Sequence, residues 1–283
     1  MATALSPTVR RRRLALELRH LREAAKLTCE EVAERLECSA SKVSRVETGR
    51  VSVSPRDVRD LLEIYNVPEG QREGLVQLAR ESRQKGWWHH YGDTVQPRGA
   101  TYLGLEGAAS EIRVFRVSRV PALLQTADYA RMATTAARPG DSLSQVDRLV
   151  DLQLERQRQA MTNQPTVWAV LDEAVLHRQV GGPEVMRAQL EHLCDLGAMP
   201  DIHLQIIPFG GGAHPCMDMP FVILRFPDQA DPDVVCVTHK TGLLCIEDSV
   251  EVDQYNVYFH HLQAMALSFD DSVALMTSLL KEL

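Results

Sequence analysis

Leu27–Arg50, LTCEEVAERLECSASKVSRVETGR, divides into two short amphipathic helices joined by a tight turn. Thr28 precedes an apolar-periodic run and Glu31 lies three residues on. This is the spacing of a capping box, in which each side chain takes one free backbone N–H. Val32, Ala33 and Leu36 share one face of the first helix. Ser39 is a good N-cap for the second, and Val43 and Val46, at i and i+3, face a core. Ala40, Ser41, Lys42, Ser44 and Arg45 are left on or near the outer face. Thr48-Gly49 ends the helix, with Gly49 able to take the left-handed conformation that a helix stop favours.

An outer face of small polar and basic residues suits the major groove of duplex DNA, and the two-helix layout is that of a helix-turn-helix reading through its second helix. Arg45 can offer two donors to guanine O6 and N7, a contact worth roughly 1–3 kcal/mol of discrimination. Ser41 can bond to several base edges, and Ala40 can touch a thymine methyl. Ser44 shares that face. Lys42, Arg50 and the helix N-termini capped by Thr28 and Ser39 suit phosphates, which position a protein without reading sequence. Much of the specificity is expected from Arg45, dimer spacing and DNA shape. The competing reading is a plain helical hairpin with a solvated charged face.

The run Leu27-Thr28-x-Glu30-Glu31-Val32-Ala33, then Ser39-x-Ser41-x-Val43-Ser44-Arg45-Val46-Glu47-x-Gly49, resembles the Cro/repressor-type (XRE) family. In that family the residue after the Thr is usually Gln and touches DNA; Cys29 occupies the position here. The turn usually carries Gly where this chain has Glu37. A non-Gly residue held left-handed is strained, so a looser or differently shaped turn is expected.

The chain has 283 residues, 45% of them hydrophobic and 24% charged, as in ordinary globular protein. One or two domains are expected. The net charge of −7 is unevenly spread: residues 1–86 hold 17 Lys+Arg against 13 Asp+Glu, and residues 87–283 hold 14 against 25. A basic head of +4 on an acidic body of −11 fits a two-domain regulator in which only the head touches DNA. Apolar runs are too short to span a bilayer. The N-terminus is too polar for a signal peptide. The expected location is cytoplasmic, with the nucleoid. Six cysteines form no CxxC pair and read as small buried hydrophobes. His214-Pro215-Cys216 lacks a second ligand pair, so no metal is expected.

Arg10–Ala25 reads as a first helix. Its start, Arg10-Arg11-Arg12-Arg13, is either a flexible arm on phosphate or minor groove, or a solvated charge run. Proximity to a DNA reader favours contact by Arg10, Arg11 and Arg12. Ser54-Pro55 and Pro68 open two more helices, which completes a five-helix head over residues 1–86. Trp87, Trp88 and Tyr91 then mark a change, read first as a packed seam between domains and second as a cluster that stacks on a ligand. From Gly99 to about Ala160 the pattern is helical. Strands are predicted at Thr166–Leu171, His203–Phe209, Pro220–Phe226, Asp233–His239 and Gly242–Glu247, the last three as an antiparallel meander. Helices over Pro183–Leu196, Asp248–Leu267 and Phe269–Leu283 complete the pattern. The expected fold is multi-domain: an all-α helix-turn-helix head and, over residues 87–283, a larger α+β domain with a mostly antiparallel sheet of about five strands.

The second region resembles the domain of unknown function carried by actinobacterial XRE regulators of the antitoxin-like class. Gly86-Trp87-Trp88, Tyr102-Leu103-Gly104-Leu105-Glu106, Val120–Ala130, Leu171-Asp172-Glu173-Ala174, Val180–Met186, Gln205–Phe209 and Gly212-Ala213-His214-Pro215 carry the likeness. The resemblance implies a regulator of development or antibiotic production. It also implies a small partner protein, often from the neighbouring gene, bound by the second domain, and no enzymatic activity. The residues agree on the last point. Gly210-Gly211-Gly212-Ala213-His214 lies between strands, whereas a phosphate cradle needs a helix N-terminus. Neither a P-loop nor a Gly-x-Ser-x-Gly elbow is present, and Asp172-Glu173 reads as a helix-start cap. No cofactor is expected. Trp87, Trp88, Tyr91, Phe209 and His214 are the candidate partner or ligand residues. A homodimer on a near-palindromic operator is expected, because dimeric helix-turn-helix proteins bind paired half-sites. An antitoxin-like interaction module with secondary DNA binding, or a small-molecule sensor, are the alternatives.

Overall fold

The computed structural model describes residues 6–228, 230–239 and 242–283. The chain divides into two compact units, one through His89 and one from His90 to Leu283; the boundary read from the sequence lies three residues earlier.

The first unit is helical: α1 (Pro7–Ala24), α2 (Cys29–Arg35), α3 (Ala40–Glu47), α4 (Pro55–Ile64) and α5 (Glu69–Ser82). Local sequence sets each start. Ser6, Thr28, Ser39 and Ser54 sit in extended backbone and accept from the N–H three residues on, and Pro occupies the first turn of α1 and α4. The apolar faces converge on one core that includes Leu14, Leu18, Val32, Val43, Val46, Val58, Leu62 and Val76.

The helix stops share one geometry. Lys26, Glu37, Gly49 and Asn66 lie at φ of 56°, 50°, 66° and 56°. Around each, two N–H groups reach back to the last turn, as Cys38 N does to Ala33 O at 2.9 Å and Glu37 N to Glu34 O at 3.3 Å. This is a Schellman stop. The turn at Glu37 is therefore regular and not loosened as its sequence suggested: the paired hydrogen bonds and Leu36 packing hold a side-chain-bearing residue left-handed. Left-handed backbone costs an L-residue about 1–2 kcal/mol, and glycine's extra chain entropy offsets roughly 0.5–1 kcal/mol of that. Glu37→Gly is accordingly expected to stabilise the unit by about 0.5–1 kcal/mol, seen as a raised denaturant midpoint at unchanged m. A lowered midpoint would show that Glu37 makes a compensating contact.

The second unit runs α6 (Pro97–Glu106), β1 (Glu111–Arg116), α7 (Ala127–Ala137), α8 (Leu143–Thr162), β2 (Thr166–Asp172), α9 (Ala174–His177), α10 (Pro183–Gly197), β3 (Ile202–Ile207), β4 (Phe221–Arg225), β5 (Val234–His239), β6 (Gly242–Ile246), α11 (Ser249–Met265) and α12 (Phe269–Leu280). Six strands form one mixed sheet in the order β3-β2-β1-β4-β5-β6. The β4-β5-β6 meander is antiparallel, as expected, but β1 pairs parallel to β2 and β2 parallel to β3. With β1 antiparallel to β4, three of the five pairings among the described residues are antiparallel, so the sheet is mostly antiparallel as expected and holds one strand more than the sequence reading counted. The missing strand, EIRVFR, was absorbed into a helical reading because three of its six residues are charged. It is nevertheless central. Glu111 and Arg113 share one side at a period of two and Arg116 falls on the other; Arg113 donates to Asn256 of α11, and Arg116 to the Phe221 carbonyl of β4.

Both faces of the sheet are covered, so β2 reads as a near-continuous apolar run. Phe115, Val170, Phe221 and Ile223 pack with Val252, Phe259 and Leu262 of α11. On the other face Ile112, Val114, Val167 and Val222 meet residues of α6, α8 and the segment Pro121–Leu124. That segment has little regular backbone pairing, so glutamines satisfy it. Gln157 Nε2 donates to the carbonyls of Ala122 at 2.6 Å and Gln125 at 2.9 Å. Gln189 Nε2 donates to Leu124 O at 2.8 Å, while its Oε1 accepts from Thr126 N at 2.8 Å.

Candidate nucleic-acid interface

Thr28 and Ser39 place the two reading helices. Thr28 Oγ1 accepts from Glu31 N at 3.2 Å, and Glu31 Oε2 accepts from Thr28 N at 2.7 Å, so the capping box is complete. That backbone N–H, then the Thr28 hydroxyl, hold the Glu31 carboxyl below its usual range. Ser39 Oγ accepts from Lys42 N at 3.2 Å and starts α3.

α3 buries Val43 and Val46 and leaves Ser41, Ser44, Arg45 and Thr48 exposed. These four fall at i, i+3, i+4 and i+7, one helical stripe opposite the core. Arg45 Nε donates to Ser41 O at 3.2 Å, which lays the side chain back along the stripe. Lys42 Nζ lies 3.3 Å from Asp57 Oδ2 on α4, and Arg50 is exposed just past the stop. Ala40 and Cys29 are turned differently from the sequence expectation: both are partly buried against the core. Burial raises the Cys29 thiol above its ordinary value. Thr48 is the stripe residue the sequence reading passed over. Its place in the stop Thr48-Gly49 hid the i+7 periodicity.

The expected arginine arm is also corrected. Arg10–Arg13 lie inside α1. Arg10 Nε pairs with Glu81 Oε2 at 3.3 Å and its NH1 donates to Gln84 Oε1 at 3.4 Å, both beyond α5's midpoint. Arg12 is 7% exposed, and burial lowers the Arg11 pKa. A run that begins one turn after a Ser N-cap and Pro joins the helix and is not left as a tail.

Behind the stripe is a polar network that the outer-face reading did not identify. Glu47, the last residue of α3, has a side chain only 3% exposed. Arg22 Nε on α1 donates to both of its oxygens at 2.9 Å, Arg22 NH1 donates to Leu27 O at 2.8 Å, and the Tyr65 hydroxyl donates to Glu47 Oε1 at 3.2 Å. Burial, then the Glu47 charge, push the Tyr65 hydroxyl well up, so it stays a neutral donor. One carboxylate thus ties α3 to α1, to the entry of α2 and to the end of α4. Gly49 serves there through its left-handed φ of 66°, since a Cβ on it would make only ordinary contact, 3.7 Å from Ala15 Cβ.

The candidate partner residues have separate settings. Trp87 and Trp88 belong to the first unit and Tyr91 to the second. Trp88 is buried, edge-on to Trp87 at 5.9 Å, and folds back where a Cβ on Gly86 would collide with it. The Tyr91 hydroxyl donates to Asp151 O at 3.4 Å. Phe209 is 59% exposed and stacks on His177 at 5.5 Å. His214, expected to face a ligand, is enclosed, its side chain 3% exposed. Its Nδ1 accepts from Cys216 N at 3.3 Å, which leaves Nε2 as the donor to Asp172 Oδ2 at 3.3 Å. Asp172 Oδ1 accepts from Ala174 N at 2.8 Å, and Glu173 Oε2 accepts from Phe209 N at 2.6 Å. The carboxylate pair therefore caps α9 and clips the glycine-rich loop to the end of β2.

Among the described residues no helix is long and apolar enough to cross a membrane, and no three His, Cys, Asp or Glu side chains gather as metal ligands. No curated protein and no solved structure gives a significant match to the chain. Residues 13–75 match a helix-turn-helix domain family, which supports a DNA-binding regulator. Residues 100–278, well over half of the chain, match a domain of unknown function, DUF5753, so the chain belongs to the DUF5753 family and carries a helix-turn-helix domain ahead of it.

Proposed function

We propose that this protein is a sequence-specific transcriptional regulator of XRE type that docks α3 in the major groove of DNA. The observation that carries the reading is the exposed stripe Ser41-Ser44-Arg45-Thr48, built only of side chains able to hydrogen-bond base edges or phosphates. The +4 charge of the head supports phosphate contact, and the acidic second unit keeps the remainder of the chain off DNA. Binding as a homodimer to paired half-sites belongs to the same reading.

Selection of genomic fragments by the purified protein at rising salt tests it. The expected result is a near-palindromic motif and a log–log salt slope of about −0.9 per phosphate neutralised. Arg45→Ala is expected to relax one position in each half-site, at about 1–3 kcal/mol. Unchanged selectivity in that variant would remove α3 from the reading role.

The finer reading places the protein in the antitoxin-like class, with control by a small protein bound to the second unit. Phe209, Met217 and Met219 support it: they are 59%, 55% and 41% exposed on one loop. Flexible methionines beside an aromatic suit an adaptable protein contact. Partner control requires that the partner bind the DNA-competent and DNA-incompetent states with different affinity. Co-purification of a neighbouring gene product by the wild-type chain, lost in Phe209→Ser, is the expected result.

A further inference from the structure

β5 and β6 place two thiols side by side. Cys236 and Cys245 are opposite partners in the antiparallel register, so their side chains leave the sheet on the same face. Both are thiols, and their Sγ atoms lie 3.4 Å apart. Opposed Cα atoms in an antiparallel pair lie about 4.5 or 5.5 Å apart. Both spacings fall within the roughly 4.4–6.8 Å that a disulfide spans. The backbone is therefore already set for the bond, and side-chain rotation is what remains to bring the sulfurs together.

The two sulfurs are unequally placed. Cys236 continues the row of Val114 and Val222 across the sheet, on the face beneath α6, and is 1% exposed. Cys245 lies on the edge strand β6 and is only partly buried. Contact with the Cys245 sulfur, then burial, push the Cys236 thiol well above its ordinary value, and the Glu106 and Glu247 charges add to this. Cys236 thus keeps its proton in the resting chain, and Cys245 meets an oxidant from solvent first. An accessible cysteine backed by a second one in contact is the arrangement of a reacting and a resolving thiol.

We propose that Cys236 and Cys245 are a peroxide-reactive pair that closes a reversible disulfide across β5 and β6. Cys245, as the thiolate, attacks hydrogen peroxide. An S–O bond forms, the O–O bond breaks, and the departing hydroxide takes up the proton that Cys245 shed, as water. Cys245 is then a sulfenic acid. Cys236 gives up its proton and attacks the Cys245 sulfur. The S–S bond forms, the S–O bond breaks, and the second hydroxide takes the Cys236 proton as water. Two thiols and one peroxide give one disulfide and two waters. A dithiol reductant reverses the change by exchange and is itself oxidised to a disulfide. Both cysteines lie in the second unit, so the pair is independent of the DNA-binding reading.

The test is peptide mapping of the full chain after limited hydrogen peroxide, with remaining thiols alkylated and no reductant added. The expected result is a peptide pair joined through Cys236 and Cys245, lighter by two hydrogens than the separate peptides, in preference to any other cysteine pairing. Dithiothreitol is expected to restore both thiols. In Cys236→Ala, dimedone is expected to trap Cys245 as the sulfenic acid. In Cys245→Ser, Cys236 is expected to stay a thiol under the same treatment. Full alkylation of both cysteines in the peroxide-treated wild-type chain, with no linked peptide, overturns the proposal. So does a link that joins two chains or uses other cysteines. The wild-type map decides the matter even where a variant does not fold.

Discussion

Glu47→Gln is expected to destabilise the helix-turn-helix unit by about 3–5 kcal/mol, the loss found when one partner of a buried ion pair is removed. The change keeps the shape of the side chain and deletes its charge. Arg22, with a side chain 13% exposed, then keeps the Leu27 carbonyl at 2.8 Å and the half-exposed Glu23 carboxylate at 3.8 Å. A loss of this size rivals the whole stability of a small unit and lowers the Tm of one this long by more than about 10 °C. Tyr65→Phe removes one hydrogen bond to the same carboxylate and is expected to cost about 1.5–3 kcal/mol. Circular dichroism and hydrogen exchange over α1–α4 measure both. Glu47→Gln with wild-type stability would show that core packing alone positions α3. DNA affinity is expected to fall further in Glu47→Gln than in Tyr65→Phe, because the carboxylate sits at the last residue of the reading helix.

Glu106→Leu is expected to have a comparable effect in the second unit, about 3–5 kcal/mol. The Glu106 side chain is 1% exposed. Its Oε1 accepts from Arg156 NH2 and from the Tyr102 hydroxyl, each at 2.6 Å, and the Arg156 guanidinium also lies over the Tyr102 ring, 5.0 Å from its centre. Burial and the Glu106 charge raise the Tyr102 pKa well above its ordinary value, so the phenol donates and does not ionise. Removing the carboxylate leaves Arg156 and Arg116 as uncompensated cations beneath α8. Adding Arg156→Met to Glu106→Leu is expected to restore most of the stability, because well-packed apolar residues replace buried ion pairs at little loss. The double-mutant cycle separates the two effects. Additive losses would assign the stability to packing and not to the pair.

The helix-turn-helix was legible because its determinants are local. Thr28, Ser39, Gly49 and Pro55 act within four residues of themselves, and Val43 and Val46 declare their face by spacing. The strands from Thr166 onward were legible for the same reason, being β-branched runs bounded by turn residues. β1 was not, because its arginines find partners in Asn256 and Phe221, more than a hundred residues away. Glu47 was visible as part of a motif but not as a buried charge, since its partners Arg22 and Tyr65 come from two other helices. His214 was assigned to a ligand because a Gly-rich loop looks open, whereas its pair with Asp172 encloses it.

The sequence by itself determined the starts of α2, α3 and α4, that Val43 and Val46 turn inward and Ser41, Ser44 and Arg45 outward, and that a basic head precedes an acidic body. Those properties follow from caps, periodicity and composition, each felt within a turn or two of chain. Tertiary structure decided which charges are buried and what answers them. It put the Arg10–Arg13 run inside a packed helix, drew Glu47 under the reading face, and gave Arg156 a carboxylate. The reason is physical: the energy of a charge depends on its distance to other charges and to water, and chain folding, not chain order, sets those distances.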